Sequence, residues 1–169
     1  GKNVGDINGT LKFISDINDS SDSFQRQWTE YPKIRHDSET GTTGIEHVIR
    51  HRTNWNLNEL EGKLVLECGG GAGADSEVLL KYGADLVTVD LTTAILEDNP
   101  KSNNQLVVQA SIDNLPFKHA IFDVVYCHRV VMHTNKPDDT LNHILKFVKP
   151  GGAVFVHTYA RNIHQMLQW

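Results

Sequence analysis

Residues Lys63 to Asp90 read KLVLECGGGAGADSEVLLKYGADLVTVD. Leu64-Val65-Leu66 is a continuous apolar run, the pattern of a strand buried on both faces. Glu67 ends it just before Gly69, Gly70, Gly71 and Gly73. Glycine accepts positive φ and leaves its backbone open to a close ligand. Val78, Leu79 and Leu80 then mark a helix, and Gly83 supplies its C-terminal stop. A second apolar run, Leu86 to Val89, closes on Asp90. Strand, glycine turn, helix and a strand ending in an acid make a nucleotide-type βαβ unit.

The glycines alone fit two ligands. Gly69, Gly71 and Ala74 match the dinucleotide pattern, whereas Glu67, Gly69, Gly71 and Gly73 match acid-x-G-x-G-x-G. A dinucleotide puts pyrophosphate at the helix N-terminus, where anions are favoured. A carboxylate two residues before the first glycine repels that phosphate and suits a cationic amino group. S-adenosylmethionine (SAM) carries an ammonium and a sulfonium and no phosphate. Asp90 fits either ligand, because an acid there bonds ribose hydroxyls in both. Glu67 therefore tips the reading toward SAM.

Length and composition set the bounds. A chain of 169 residues fits one domain, burying roughly 70% of its unfolded surface. The formal net charge of -5 argues against nucleic acid as the main partner, since phosphate binding wants a basic face. No run of about 18 apolar residues and no signal-peptide pattern occurs, so the expected compartment is the cytoplasm, without a membrane. Cys68 and Cys127 lack metal-site spacing and are expected as reduced thiols.

Outward from the βαβ unit, residues 1–23 are polar and read as a loosely docked arm. Phe24, Trp28 and Tyr31 gather with Arg26, Lys33, Arg35 and His36. These aromatics either cover one edge of the core or form a lid over the ligand. Residues 42–55 carry Ile45, Val48 and Ile49 at helical spacing, with Thr42 or Thr43 as N-cap. His47 and His51 share a face of that helix, read as solvated rather than as a metal site. After Asp90 come a short helix at 92–97, stopped by Asp98-Asn99-Pro100, and strands at 105–109 and 122–127. A helix follows at 137–148, then a tight turn at Pro150-Gly151-Gly152 and a strand at 153–157. Alternating strands and helices mean a parallel sheet with right-handed crossovers.

Glu67 to Gly73, Asp90, Leu115-Pro116-Phe117, Phe122-Asp123-Val124-Val125, Leu145-Lys146-Phe147-Val148 and Lys149-Pro150-Gly151-Gly152 stand in an order that closely resembles the class I SAM-dependent methyltransferases. The likeness covers about residues 60–158, and Phe24 to Pro32 resembles the lead-in of a small-molecule branch. It implies an α/β fold, a Rossmann-like parallel sheet in the order 3-2-1-4-5 with flanking helices. Residues 1–40 would be the N-terminal arm and lid, and 41–169 the SAM-binding domain. The family's full sheet has two more strands after the fifth, so the resemblance implies either further chain beyond Trp169 or another chain on the open edge. A homo-oligomer through that edge is one such arrangement.

The resemblance also assigns roles. Glu67, directly or through water, would hold the methionine ammonium, and the Gly69, Gly70, Gly71 and Gly73 backbone would run along the sugar and methionine. Asp90 would take both ribose hydroxyls and Leu91 the adenine face. Ser111 and Ile112 fall at the adenine edge, where the family usually has Asp and a small residue, so Ser111 would hold the amine as a neutral partner. Cys127 and His128 would lie by the transferable methyl. Transfer is an in-line displacement needing alignment and exclusion of water, with no metal, and S-adenosylhomocysteine (SAH) as product. The acceptor would be an O, N or C atom of a small molecule. A base, where needed, is naturally histidine; His128 is the first candidate, with His133 and His157 also at strand ends. The rival readings are a non-catalytic SAM-binding protein and an NAD-type Rossmann domain.

Overall fold

The computed structural model describes residues 5–7, 10–13, 20–31, 35–97 and 102–159. Its strands are β1 (Gly5–Ile7), β2 (Thr10–Lys12), β3 (Leu64–Cys68), β4 (Asp85–Asp90), β5 (Gln105–Gln109), β6 (Phe122–His128) and β7 (Val148–His157). The α-helices are α1 (Ser20–Glu30), α2 (Asp37–Thr40), α3 (Gly44–Thr53), α4 (Ala74–Lys81), α5 (Ala94–Glu97) and α6 (Pro137–Ile144). The described strands form one sheet in the order β1-β2-β5-β4-β3-β6-β7. Five of its parallel strands, β5-β4-β3-β6-β7, are the expected 3-2-1-4-5 arrangement. The stop at Asp98–Pro100 and the segment from Arg161 lie outside the described residues.

Each inner strand is apolar on both faces because both faces are covered. Leu66, Cys68, Val89 and Val125 pack with Ile112, Leu115, Ile144 and Phe147 on one side. Val65, Leu86, Val124 and Tyr126 pack with Ile45, Ile49, Val78 and Leu79 on the other. Burying each large apolar side chain is worth roughly 1.5–3 kcal/mol. Cys68 pairs in register with Cys127, and both thiols are free and buried. The hydrogen bond to Cys127, then burial, push the Cys68 thiol well above its usual pKa.

Three local expectations change. The polar N-terminal arm is not loose where it is described: β1 pairs antiparallel with β2, and β2 adds to β5 in parallel register, Thr10 opposite Val107 and Lys12 opposite Gln109. Backbone pairing supplies what composition lacks, and Leu11 and Phe13 pack onto the core. At α3, Thr43 makes no side-chain cap, and Thr42 Oγ1 accepts from the helix only at Gly44 N, at 3.4 Å. The Asp37 carboxylate caps instead, accepting from Ile45 N at 2.9 Å and Glu46 N at 3.0 Å. The turn at Pro150-Gly152 is an irregularity within β7, with Phe122 opposite Val148 and Val124 opposite Ala153. A Cβ at Gly152 would stand 2.7 Å from the Asp123 carbonyl oxygen, so only glycine permits that approach.

Among the described residues no helix is long and apolar enough to cross a membrane.

Candidate functional site

The carboxyl ends of β3, β4, β6 and β7 open into a cavity of about 460 Å³. That end of a parallel sheet is where ligands bind in such folds. Its walls include Gly69, Gly70, Gly71, Asp90, Leu91, Ser111, Ile112, His128 and His133, nine of the residues expected from the sequence. Glu67, Gly73 and Cys127 are not among its walls. Trp28, Arg35, Asp75, Asp113, Arg129 and Tyr159 are.

The glycine loop is shaped by close approaches. Gly69 and Gly71 have φ of 79° and 51°. A Cβ on Gly69 would meet Val130 Cγ2 at 2.2 Å, and one on Gly71 would meet the Trp28 indole at 3.0 Å. Trp28 comes from α1, which is held at the site by Gln25 Oε1 accepting from Thr93 N at 2.7 Å. Behind the loop, His36 is buried, with Nε2 2.9 Å from the Ala72 carbonyl and Nδ1 3.1 Å from Glu77 Oε2. These contacts tie the lead-in segment to the loop.

Asp90 closes the loop from the neighbouring strand. Its Oδ2 accepts from Gly71 N at 2.8 Å, and its Oδ1 from the Thr92 amide and hydroxyl, each at 2.7 Å. Burial raises its pKa, opposed by the bonds from Thr92, Gly71 and Leu91. Oδ1 already takes two bonds, so Oδ2 is the less engaged oxygen for a ligand hydroxyl.

Glu67 faces elsewhere. Alternation along β3 puts it on the Val65 side, where it accepts from Ser76 Oγ at 2.5 Å and Thr88 Oγ1 at 2.9 Å. Burial pushes its pKa up to about 8, so its carboxyl is protonated at neutral pH. Asp75, at the start of α4, faces the cavity instead. Its Oδ2 accepts from the Tyr126 hydroxyl at 2.9 Å and His128 Nδ1 at 2.7 Å. Burial pushes Asp75 up, but His128, Tyr126 and the Arg35 charge outweigh it and hold the group below its usual range.

His128 is engaged at both ring nitrogens. Arg52 Nη1 lies 2.6 Å from Nε2. A guanidinium only donates, so Nε2 accepts and Nδ1 carries the proton given to Asp75. His133, after β6, lies beside Tyr159 with ring centroids 6.3 Å apart, and burial lowers its pKa. His47 and His51 are exposed on α3, their rings 6.2 Å apart.

A family model described as "Methyltransferase domain" matches residues 66–156, more than half the chain. The chain belongs to that family, the class I SAM-dependent methyltransferases. A ubiquinone biosynthesis O-methyltransferase of Aliivibrio fischeri (strain MJ11) is 36% identical over 118 residues, covering 66% of this chain and 50% of that protein. The chain thus spans about half the length of the curated relatives it matches. Among solved structures, phosphoethanolamine N-methyltransferase 2 of Haemonchus contortus superposes with a TM-score of 0.64 at 17% identity, over 92% of this chain and 43% of its own. The [4+2]-cyclase SpnF superposes at 0.52 and 19% identity, over 64% and 42%. These two show the fold, which also hosts chemistry other than methyl transfer.

Proposed function

We propose that this chain binds SAM and transfers its methyl group to a small-molecule acceptor. The observation that carries the reading is the cavity at the strand ends, walled together by the open Gly69–Gly71 backbone and the Asp90 carboxylate. A loop without side chains leaves room for a ligand against the backbone, and Asp90 is the carboxylate there for a ribose hydroxyl, with Oδ2 its less engaged oxygen. When bound, SAM supplies a methyl group on a sulfonium, which an acceptor displaces in line.

The chain's own groups position the reaction. Leu91, Ser111 and Ile112 take the adenine. Asp75 is placed for the methionine ammonium, with Arg35 near enough to serve the carboxylate. Glu67 acts from behind the loop, by holding Ser76 at the start of α4. His128 positions Asp75 and cannot also accept a proton at Nε2 while Arg52 occupies it. His133, exposed and with its pKa lowered by partial desolvation, is the base for a hydroxyl acceptor. The names of the curated relatives make oxygen the first acceptor atom to test. Residues 1–40 serve as arm and lid through Trp28, and residues 41–169 carry the SAM site. The cytoplasm suits the free Cys68 and Cys127 thiols. Pairing of a second copy along β7, an edge of the described sheet, completes the reading.

Calorimetric titration with SAM, SAH and NAD tests the cofactor, followed by SAH release with a panel of phenols, carboxylic acids and amines. Binding of SAM and SAH but not NAD is expected, with turnover on a hydroxyl acceptor. SAM bound yet unconsumed across the panel would instead favour a non-catalytic SAM-binding protein.

A further inference from the structure

Where β6 and β7 end, Arg129 stands on the cavity wall and His157 lies beside it, behind that wall. Arg129 has a φ of 62°, a left-handed conformation that a long side chain enters only when its surroundings hold it there. Its amide donates to the His157 carbonyl at 2.9 Å, which fixes the two residues side by side. Arg129 Nε and His157 Nδ1 are both buried, and neither has a hydrogen-bond partner among the described residues. Buried polar atoms without partners are rare, and each asks for an explanation.

The carboxylates of the cavity take their bonds from other groups. Asp75 accepts from His128 and Tyr126, Asp90 from Gly71 and Thr92, and Asp113 from Thr140. Burial lowers the His157 pKa, and the charges of Arg52 and Arg129 lower it further. A guanidinium presents a planar fork of donors that matches a carboxylate or a phosphate.

We infer that Arg129 and His157 form an anion subsite that takes a carboxylate or phosphate group of the methyl acceptor. The inference rests on the methyltransferase reading above. The carboxylate of SAM is the competing occupant. Arg35 stands closer to that role, because its charge is felt at Asp75, where the methionine end is placed. Arg129 is left for the acceptor, on the wall that it shares with His133 and Tyr159.

The test titrates inorganic phosphate and benzoate into the intact chain, with and without saturating SAH, following the His157 ring by NMR. At least one anion should bind and raise the His157 pKa. Benzoate alone would assign the subsite to carboxylates, and phosphate alone to phosphate groups. Arg129→Gln should weaken that anion at least about tenfold while SAH affinity stays within about threefold. His157→Gln, which leaves the strained backbone of Arg129 untouched, should act in the same direction and decides the matter if Arg129→Gln does not fold. No binding of either anion, unchanged binding in the variants, or a tenfold loss that falls on SAH instead would overturn the subsite. Failure of the wild-type chain to bind SAH would remove the methyltransferase reading itself, whereas SAH binding without anion binding removes only this inference.

Discussion

The two halves of the cavity are built from different material. One half, Gly69–Gly71 with Asp90 and Thr92, comes from a single βαβ unit, and its polar contacts run through main-chain amides. Gly71 N and Thr92 N both donate to the Asp90 carboxylate. The other half takes Trp28 and Arg35 from the N-terminal segment, Arg129 and His133 from beyond β6, and Tyr159 from beyond β7. It is made of side chains brought together by distant parts of the chain. A wall made of backbone cannot change without changing the fold. A wall made of side chains on loops can be altered to suit a different acceptor while the sheet stands.

The strongest way to break this contrast is Gly69→Ala. Its Cβ would fall 2.2 Å from Val130 Cγ2 at a φ of +79°, so a loss of about 2–4 kcal/mol is expected in urea unfolding. Adding Val130→Ala should recover only part of it, because the backbone conformation remains strained. His133→Ala on the other wall should cost no more than about 0.5 kcal/mol. Equal losses in the two variants would erase the distinction. Next in size is Asp90→Ala, which removes a charged acceptor from the loop and from the ribose. Bonds of this kind are worth about 1.5–3 kcal/mol, so SAM affinity should fall roughly ten- to a hundredfold in calorimetry. Unchanged affinity would take the ribose from Asp90.

The backbone half is also the half that could be read from the chain alone. The glycine spacing, the apolar runs of β3 and β4 and the closing acid sit in one short stretch and follow local rules. Cys68 and Cys127 stand in register because the first and fourth strands of the 3-2-1-4-5 order are neighbours. Asp75 escaped because an acid in the first turn of a helix already has a sufficient local reason, the helix dipole. Arg129 escaped because only tertiary contacts bring it to the cavity, whereas Trp28 belongs to the aromatic group read as edge cover or lid. Glu67 carried a usable signal that went unread: alternation places it on the face of Val65, under α4 and away from the loop mouth. The strands at 5–7 and 10–12 have no apolar alternation to announce them, since β2 is held by backbone pairing to β5.

Glu67 sharpens the comparison through pH. Its folded pKa of about 8 lies above the ordinary 4.5. Below the unfolded value both states hold the proton, and its contribution is fully present. As pH rises toward 8 the unfolded chain releases the proton first, so stability falls by at most about 1.4 kcal/mol per pH unit and levels off above. Between pH 6 and pH 7 the wild-type chain should lose up to that amount relative to Glu67→Gln in paired thermal melts. SAM affinity of Glu67→Gln should stay within about threefold, because the carboxyl faces Ser76 and Thr88. Parallel pH profiles would mean that Glu67 is ionised in the folded chain. A tenfold loss of affinity would return it to the ammonium.

The smallest effect belongs to Trp28, which stands across the boundary between the halves. It is supplied by α1, outside the βαβ unit, yet its indole lies 3.0 Å from where a Gly71 Cβ would be. It is half-buried, so removing it exposes the loop without opening the core. Trp28→Ala should therefore weaken SAH by about fivefold, near 1 kcal/mol, through lost aromatic contact area. The urea midpoint should move little, because the two core clusters on the faces of the sheet do not include Trp28. With Trp55 and Trp169 replaced by phenylalanine, the remaining indole gives a direct reading. Its fluorescence should shift on SAH addition if α1 closes on the ligand. A shift would place Trp28 with the cofactor half despite its origin in the N-terminal segment. No shift together with unchanged affinity would return it to the acceptor wall, and the lid reading of residues 1–40 would fail with it.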